Sequence, residues 1–276
     1  MSTSLTDRRR REPQTFTRGR LRRVWDVIFV VLRGVGRRAH SAYLTFGIFL
    51  LIGSSVAITG TYLFAKLASR VAAGKTQAFD ETVLAWFGTH RLPGLDGIML
   101  DVTALGTGTV VVMIVTVAAL FLWLTRHHYS AILLVVATLG SILLNNLLKW
   151  GFERPRPDVI SWVANAHFYS FPSGHAMTAT VVYSTVAYLA GRLLAKHSAR
   201  VAVMATALLV ILLICVSRLY LGVHYPSDVI AGFTIGLAWA GFCMAAIEAI
   251  QLYARRNAPE VLRVERPAPK DESAAA

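Results

Sequence analysis

Apolar runs dominate the pattern of this chain. Six stretches, about 43–66, 107–125, 129–148, 175–195, 201–222 and 229–252, carry few charges, and each is close to the roughly 20 residues that an α-helix needs to cross a bilayer. The first run begins only after some 40 residues and is longer than the apolar core of a cleaved leader, so it reads as a retained span. The pattern predicts an all-α, polytopic membrane protein with six transmembrane helices. Its span domain covers 43–252, between a basic N-terminal segment (1–42) and a disordered tail (253–276). Residues 24–38, with Trp25, Ile28, Phe29 and Leu32 among arginines, suit a short helix lying in the interface. Residues 1–23 are Arg-rich and weakly apolar, a composition that favours disorder.

One connection is long. Between spans one and two, residues 67–105 carry Leu95, Ile98, Met99, Val102 and Leu105 at helical spacing after Pro93-Gly94, and Phe79, Val83, Trp86 and Phe87 in a similar pattern. They predict one or two amphipathic helices in the first outer loop, serving either as packing over the bundle or as a gate for lipid.

Composition agrees with the pattern. The chain is 55% hydrophobic and 16% charged, against about 25% charged in a soluble protein, which excludes an ordinary soluble domain. The formal net charge of +13 would otherwise suggest nucleic acid, but basic residues also orient membrane proteins. With the N-terminus inside, 20 of the 28 Lys and Arg fall on inner segments, eleven of them before residue 43. That places both termini in the cytoplasm of a plasma membrane and leaves no role for a nucleic-acid partner. Cys215 and Cys243 sit inside apolar stretches and read as small core hydrophobes.

Ionisable residues near membrane spans are costly, so their clustering is informative. Three clusters stand out: Lys149 through Arg156-Pro157 after span three, Phe171-Pro172-Ser173-Gly174-His175 opening span four, and Ser217-Arg218 with His224-Tyr225-Pro226-Ser227-Asp228 between spans five and six. Hydropathy and charge put all three on the outer side, although neither used them. Lys149, Arg156 and Arg218 outnumber the acids nearby, as a phosphate requires, with Arg offering forked donors and Lys a point charge. Ser173-Gly174 begins a helix after Pro172, where free N–H groups and the helix dipole attract anions. Asp228, in the first turn of span six, can reach back to one imidazole nitrogen of His224, which makes the other nitrogen a nucleophile. His175 is then free to protonate a leaving oxygen.

Each residue also has a plainer reading. A single Lys or Arg at a helix end is a snorkelling anchor, and a single membrane histidine is a helix–helix hydrogen-bonder. Arg154 reads as a cation compensating Glu153. A metal held by His175, His224 and Asp228 matches by ligand type, but a dication among three cations would be repelled, so neither metal nor cofactor is expected.

Taken together, Lys149-x6-Arg156-Pro157, Pro172-Ser173-Gly174-His175 and Ser217-Arg218-x5-His224-x3-Asp228, separated by 14 and 41 residues, resemble the three-part signature of the type 2 phosphatidic acid phosphatase (lipid phosphate phosphatase) superfamily. No motif position departs from it. The resemblance implies a metal-independent phosphatase in which His224 forms a phosphohistidine, Asp228 orients it, and His175 is the general acid. Lys149, Arg156, Ser173, Gly174 and Arg218 would hold the phosphate oxygens. The expected substrate is a membrane lipid phosphate: an isoprenoid carrier diphosphate such as undecaprenyl diphosphate, phosphatidylglycerophosphate, phosphatidate or diacylglycerol diphosphate. A phosphotransferase with another acceptor is the alternative. Trp150, Trp162, Phe168 and Tyr169 suit an aromatic belt at the outer headgroups.

Overall fold

A computed structural model describes residues 42–257 apart from His167. The chain divides into two units at Thr45, and the helical bundle with its site belongs to the second unit, which begins at Phe46. The expected disorder of 1–23, the interfacial helix over 24–38 and the tail beyond Asn257 lie outside the described residues. Every regular element among those residues is helical: α1 Ala42–Ala72, α2 Gln77–Thr89, a 3-10 turn Pro93–Leu95, α3 Asp96–Ala104, α4 Gly108–Leu124, α5 His128–Phe152, α6 Gly174–Leu193, α7 His197–Tyr220 and α8 Pro226–Asn257.

Among the described residues, four helices are long and apolar enough to cross a membrane: α1 from Leu50, α5, α7, and α8 as far as Ile250. A fifth candidate joins α3 and α4 across a 43° bend. The expectation of six is therefore matched in four helices, or five with the bent pair. The run at 107–125 forms only the second limb of that pair. The run at 175–195 forms α6, whose composition falls short because Thr178, Thr180, Ser184 and Thr185 interrupt it. Its position explains the shortfall: α6 packs against α4, α5, α7 and α8, and a helix enclosed by protein needs little lipid-facing apolar surface. The opposite holds for α4, which exposes Val112, Met113, Val117, Leu120 and Phe121.

Small residues let α6 and α8 meet closely, as in many membrane helix pairs. Gly232 and Gly236, one turn apart on α8, face the backbone of α6: a Cβ on Gly232 would lie 2.5 Å from the Ser173 carbonyl oxygen, and one on Gly236 would lie 2.9 Å from that of Met177. The two N-termini are tied as well, because Ser173 N–H donates to the Asp228 carbonyl at 3.0 Å. Ahead of α6, the fully buried Phe171 stacks on Phe64 and meets Phe152 edge-on, with ring centroids 5.9 and 4.8 Å apart. This fixes the loop that delivers Pro172 and Ser173 to the helix.

Helices α2 and α3 occupy the predicted first loop, with faces that need correction. On α2 the inward stripe is Asp80, Leu84 and Phe87, while Phe79 and Trp86 are exposed. On α3 and its preceding turn, Leu95 and Met99 pack beside Tyr220, Leu221 and Val223, while Ile98 and Leu105 are exposed. Packing over the bundle and an apolar outward face therefore coexist on these helices. Cys215 and Cys243 are buried free thiols.

Candidate active site

The eight expected site residues converge from four segments. Lys149 is in the last turn of α5, which stops at Glu153 in the left-handed region (φ 46°) before Pro155; proline cannot continue a helix. Its ammonium donates to the Tyr169 carbonyl. Arg156 follows in the loop, with Nε donating to the Phe168 carbonyl at 2.9 Å and Nη1 to that of Val223 at 2.8 Å. These bonds tie the first cluster to both others.

Ser173 is the N-cap of α6 but makes no side-chain cap bond, and its buried Oγ has no hydrogen-bond partner among the described residues. Buried hydroxyls are normally paired, so this one is free for a ligand. A Cβ on Gly174 would lie 3.0 Å from Asn145 Oδ1, so glycine admits that side chain against the helix start. His175 is in the first turn and packs beside the α3–α4 break, where a Cβ on Gly106 would lie 3.1 Å from its ring. Arg218 is in the last turn of α7; its Nη1 donates to Thr103 Oγ1 at 2.7 Å, and its buried Nε has no partner among the described residues. His175 lies within electrostatic reach of Arg218, His224, Arg156 and Lys149.

His224 is buried beside Asp228 and Arg156. Its Nδ1 lies 3.5 Å from Asp228 Oδ2, and its Nε2 faces Arg156 Nη1 at 3.4 Å. The first distance is longer than a good hydrogen bond, as catalytic contacts often are before substrate binds. Burial, and then Arg218, Arg156 and Lys149, hold the His224 pKa well below the ordinary histidine value. The ring is therefore neutral at pH 7, with a lone pair for Nε2 when Nδ1 carries the proton toward Asp228. Burial also lowers the pKa of Arg156. Among the described residues no set of three His, Cys, Asp or Glu side chains is arranged to hold a metal ion.

Arg154 requires a correction. It does not compensate Glu153, which is exposed; it pairs instead with Asp228 at 2.6 Å and Asp80 at 2.8 Å. Burial alone would lower its pKa, but the two carboxylates outweigh that and raise it. Asp80 and Thr103 were not expected at the site. The signal for Asp80 was its place in an i, i+4, i+7 stripe with Leu84 and Phe87, a carboxylate on the inward face of an amphipathic helix. No local signal pointed to Thr103, since its partner Arg218 is 115 residues away.

A neutral imidazole backed by a carboxylate, a second imidazole, three cations and a bare helix N-terminus together suit nucleophilic attack on a tetrahedral oxyanion. Comparisons with known proteins agree. Residues 130–251 match the PAP2 superfamily. The chain is 33% identical over 177 residues to phosphatidylglycerophosphatase B of Bacillus subtilis (strain 168), covering 63% of this chain and 86% of that one. It is 27% identical over 166 residues to an undecaprenyl-diphosphatase of Sulfolobus acidocaldarius, covering 58% and 73% of the two chains. Its fold is similar to the crystal structure of a transmembrane PAP2-type phosphatidylglycerolphosphate phosphatase from Bacillus subtilis, with a TM-score of 0.66, 28% identity, and 73% and 98% of the two chains covered. A third of the residues shared across most of one such enzyme, on the same fold, establishes that the chain belongs to the PAP2 superfamily, as a multi-pass membrane lipid phosphatase.

Proposed function

We propose that the protein hydrolyses a lipid phosphate monoester or diphosphate at the outer face of a plasma membrane, through a phosphohistidine on His224. The observation that carries this reading is the orientation of the His224 ring, with Nδ1 toward Asp228 and Nε2 toward Arg156. A phosphate gathered by Lys149, Arg156, Arg218, Ser173 Oγ and the Gly174 N–H would meet the nucleophilic nitrogen directly. Nε2 bonds to phosphorus as the bond to the leaving oxygen breaks, and His175, which takes up a proton once the bound phosphate offsets the charge of Arg218, Arg156 and Lys149, gives it to that oxygen. Water then attacks phosphorus, His175 takes its proton, the P–N bond breaks, and inorganic phosphate leaves. Phosphoryl transfer is largely positioning and charge stabilisation, which this set of donors supplies.

The location follows from physical argument. A lipid phosphate has its headgroup at the interface, where tryptophan and other aromatic rings concentrate; Trp150, Trp162 and Phe168 are exposed, which supports that location. Counting the enclosed α6 and the bent α3–α4 pair as crossings makes six spans, with both termini inside. The substrates named for the relatives, phosphatidylglycerophosphate and undecaprenyl diphosphate, are the candidates to test first.

The experiment is phosphate release by purified protein in EDTA, from phosphatidylglycerophosphate, phosphatidate, undecaprenyl diphosphate and a water-soluble phosphate, alongside an alkaline denaturing quench to trap the phosphohistidine, which acid then releases. Release from a lipid that is lost in His224→Ala is expected. No release from any lipid, or loss of activity in EDTA, would overturn the reading. Product that forms only with an added acceptor would make the protein a transferase.

A further inference from the structure

One buried polar cluster stands outside this chemistry, behind the carboxylate that orients the nucleophile. Arg154 enters it from the loop after α5 with both arms of its guanidinium. Nη1 donates to Asp228 Oδ1 at 2.6 Å and to Ser227 Oγ at 2.7 Å; Nη2 donates to Asp80 Oδ2 at 2.8 Å and to Gln77 Oε1 at 3.2 Å. The Tyr225 ring lies against the guanidinium, 4.1 Å from carbon to centroid. Asp80 is fully buried and accepts from Ser227 N–H at 2.9 Å and Ser227 Oγ at 2.6 Å. Three separate parts of the chain, α2, the α5–α6 loop and the start of α8, therefore meet at one cation.

We propose that Asp80 and Arg154 are positioning residues for the reaction, fixing the orientation of Asp228 and the net charge that it presents to His224. This rests on His224 being the nucleophile. The orientation follows from occupancy. Arg154 takes Oδ1 of Asp228, so Oδ2 is the oxygen left to accept from Tyr225 N–H at 2.9 Å and to face His224 Nδ1.

The charge follows from counting. One guanidinium lies between two carboxylates, so the cluster keeps one negative charge. Had Arg154 only Asp228 as partner, the pair would be neutral and Asp228 a weaker support for the positive ring that forms as Nε2 bonds to phosphorus. Asp80 draws off part of the guanidinium and leaves Asp228 its charge. Lys149 and Arg156 also lie within electrostatic reach of Asp228, but a bound phosphate occupies those cations during the reaction. A buried pair inside protein is screened little, so this balance acts at close to full strength.

The test is steady-state phosphate release with thermal melting for wild type, Asp80→Asn, Arg154→Gln, Arg154→Lys and the double variant Asp80→Asn/Arg154→Gln. Each single neutralising variant is expected to lose about tenfold to a hundredfold in kcat, by analogy with hydrogen-bond partners that orient metal ligands, with KM little changed because the phosphate clamp is intact. The double variant returns the cluster to one negative charge but lacks the hold on Oδ1, so it is expected to exceed the worse single in kcat. A merely structural cluster gives a double variant no better than the worse single, and that result overturns the proposal, as does Asp80→Asn with wild-type kcat. If Asp80→Asn does not fold, Arg154→Lys carries the test: it keeps the charge and should retain more kcat than Arg154→Gln, and equal losses overturn the proposal. An inactive wild type would instead sink the phosphatase reading itself.

Discussion

The contact that places the two halves of the site against each other can be tested by one methyl group. In Gly232→Ala the new Cβ would lie 2.5 Å from the Ser173 carbonyl oxygen and 3.2 Å from both Ala176 Cβ and Met177 N. A close carbon–oxygen contact is about 3.3 Å, so α6 and α8 must separate locally by roughly 0.8 Å. The oxygen belongs to the backbone and cannot rotate away. That displacement acts on the bond from Ser173 N–H to the Asp228 carbonyl, now 3.0 Å, and would stretch it beyond hydrogen-bond range. Overpacking costs about 1–3 kcal/mol, and the lost bond adds about 1 kcal/mol. The same movement carries Ser173, Gly174 and His175 away from His224, and a misplacement near 1 Å costs on the order of a hundredfold in rate. Gly191→Ala is the control, since nothing lies within 4 Å of its Cβ, and it should gain up to about 1 kcal/mol from helix propensity. Melting in detergent and phosphate release should therefore both fall in Gly232→Ala and hold or rise in Gly191→Ala. A Gly232→Ala protein as stable and as active as wild type would refute the close-packing account.

Other consequences arise from the same geometry. Under the proposed mechanism Arg218→Ala removes one donor of the phosphate clamp and should lower kcat/KM by roughly a hundred- to a thousandfold, the cost of losing one preorganised donor; a loss below tenfold would remove Arg218 from the clamp. Thr103→Val keeps the shape but leaves Arg218 Nη1 without its acceptor, which should cost about 1–3 kcal/mol in transition-state stabilisation, read as kcat/KM; an unchanged value would make the contact incidental. The depressed pKa of His224 has a stability consequence. The unfolded chain binds a proton near pH 6.5 that the folded chain refuses, so the contribution of His224 is complete above that pH. It falls by up to about 1.4 kcal/mol per pH unit below it, until the folded pKa is reached. Melting midpoints between pH 7.5 and 5 should accordingly drop more steeply for wild type than for His224→Gln, and parallel curves would contradict a buried neutral ring.

The candidate site residues are legible in the sequence because they lie in short segments, each at or beside a helix end. His224 and Asp228 are four residues apart, across the start of α8, and Ser173 through His175 form the start of α6. What supports them was hidden because it comes from elsewhere in the chain. Asp80 lies 74 residues before Arg154 and 147 before Ser227, and nothing in the order of residues announces that α2 folds over that end of the bundle. The partners of Arg154 are hidden for a related reason. Its nearest acid in sequence, Glu153, is the C-cap of α5 and points outward, whereas its partners in space come from α2 and α8. Adjacency in sequence is a poor guide to ion pairs at a helix end, because the chain turns sharply there.

The apolar pattern is informative in a complementary way. It counts residues that would be comfortable in lipid, and α6, which carries Ser173, Gly174 and His175, is the helix with the least need to be. Enclosed by α4, α5, α7 and α8, α6 can hold Thr180, buried and bonded to the Ala176 carbonyl at 2.7 Å, at little cost, since its hydroxyl is satisfied inside the helix. The surrounding helices carry the hydropathy, and α4 exposes Val112, Met113, Val117, Leu120 and Phe121. A polar reaction centre in a membrane bundle is best built on such an enclosed helix, where charged groups meet neighbouring helices rather than hydrocarbon. Low apolarity in one helix of an otherwise greasy set is then itself a pointer to the site, and here it falls on the helix that begins with Ser173, Gly174 and His175.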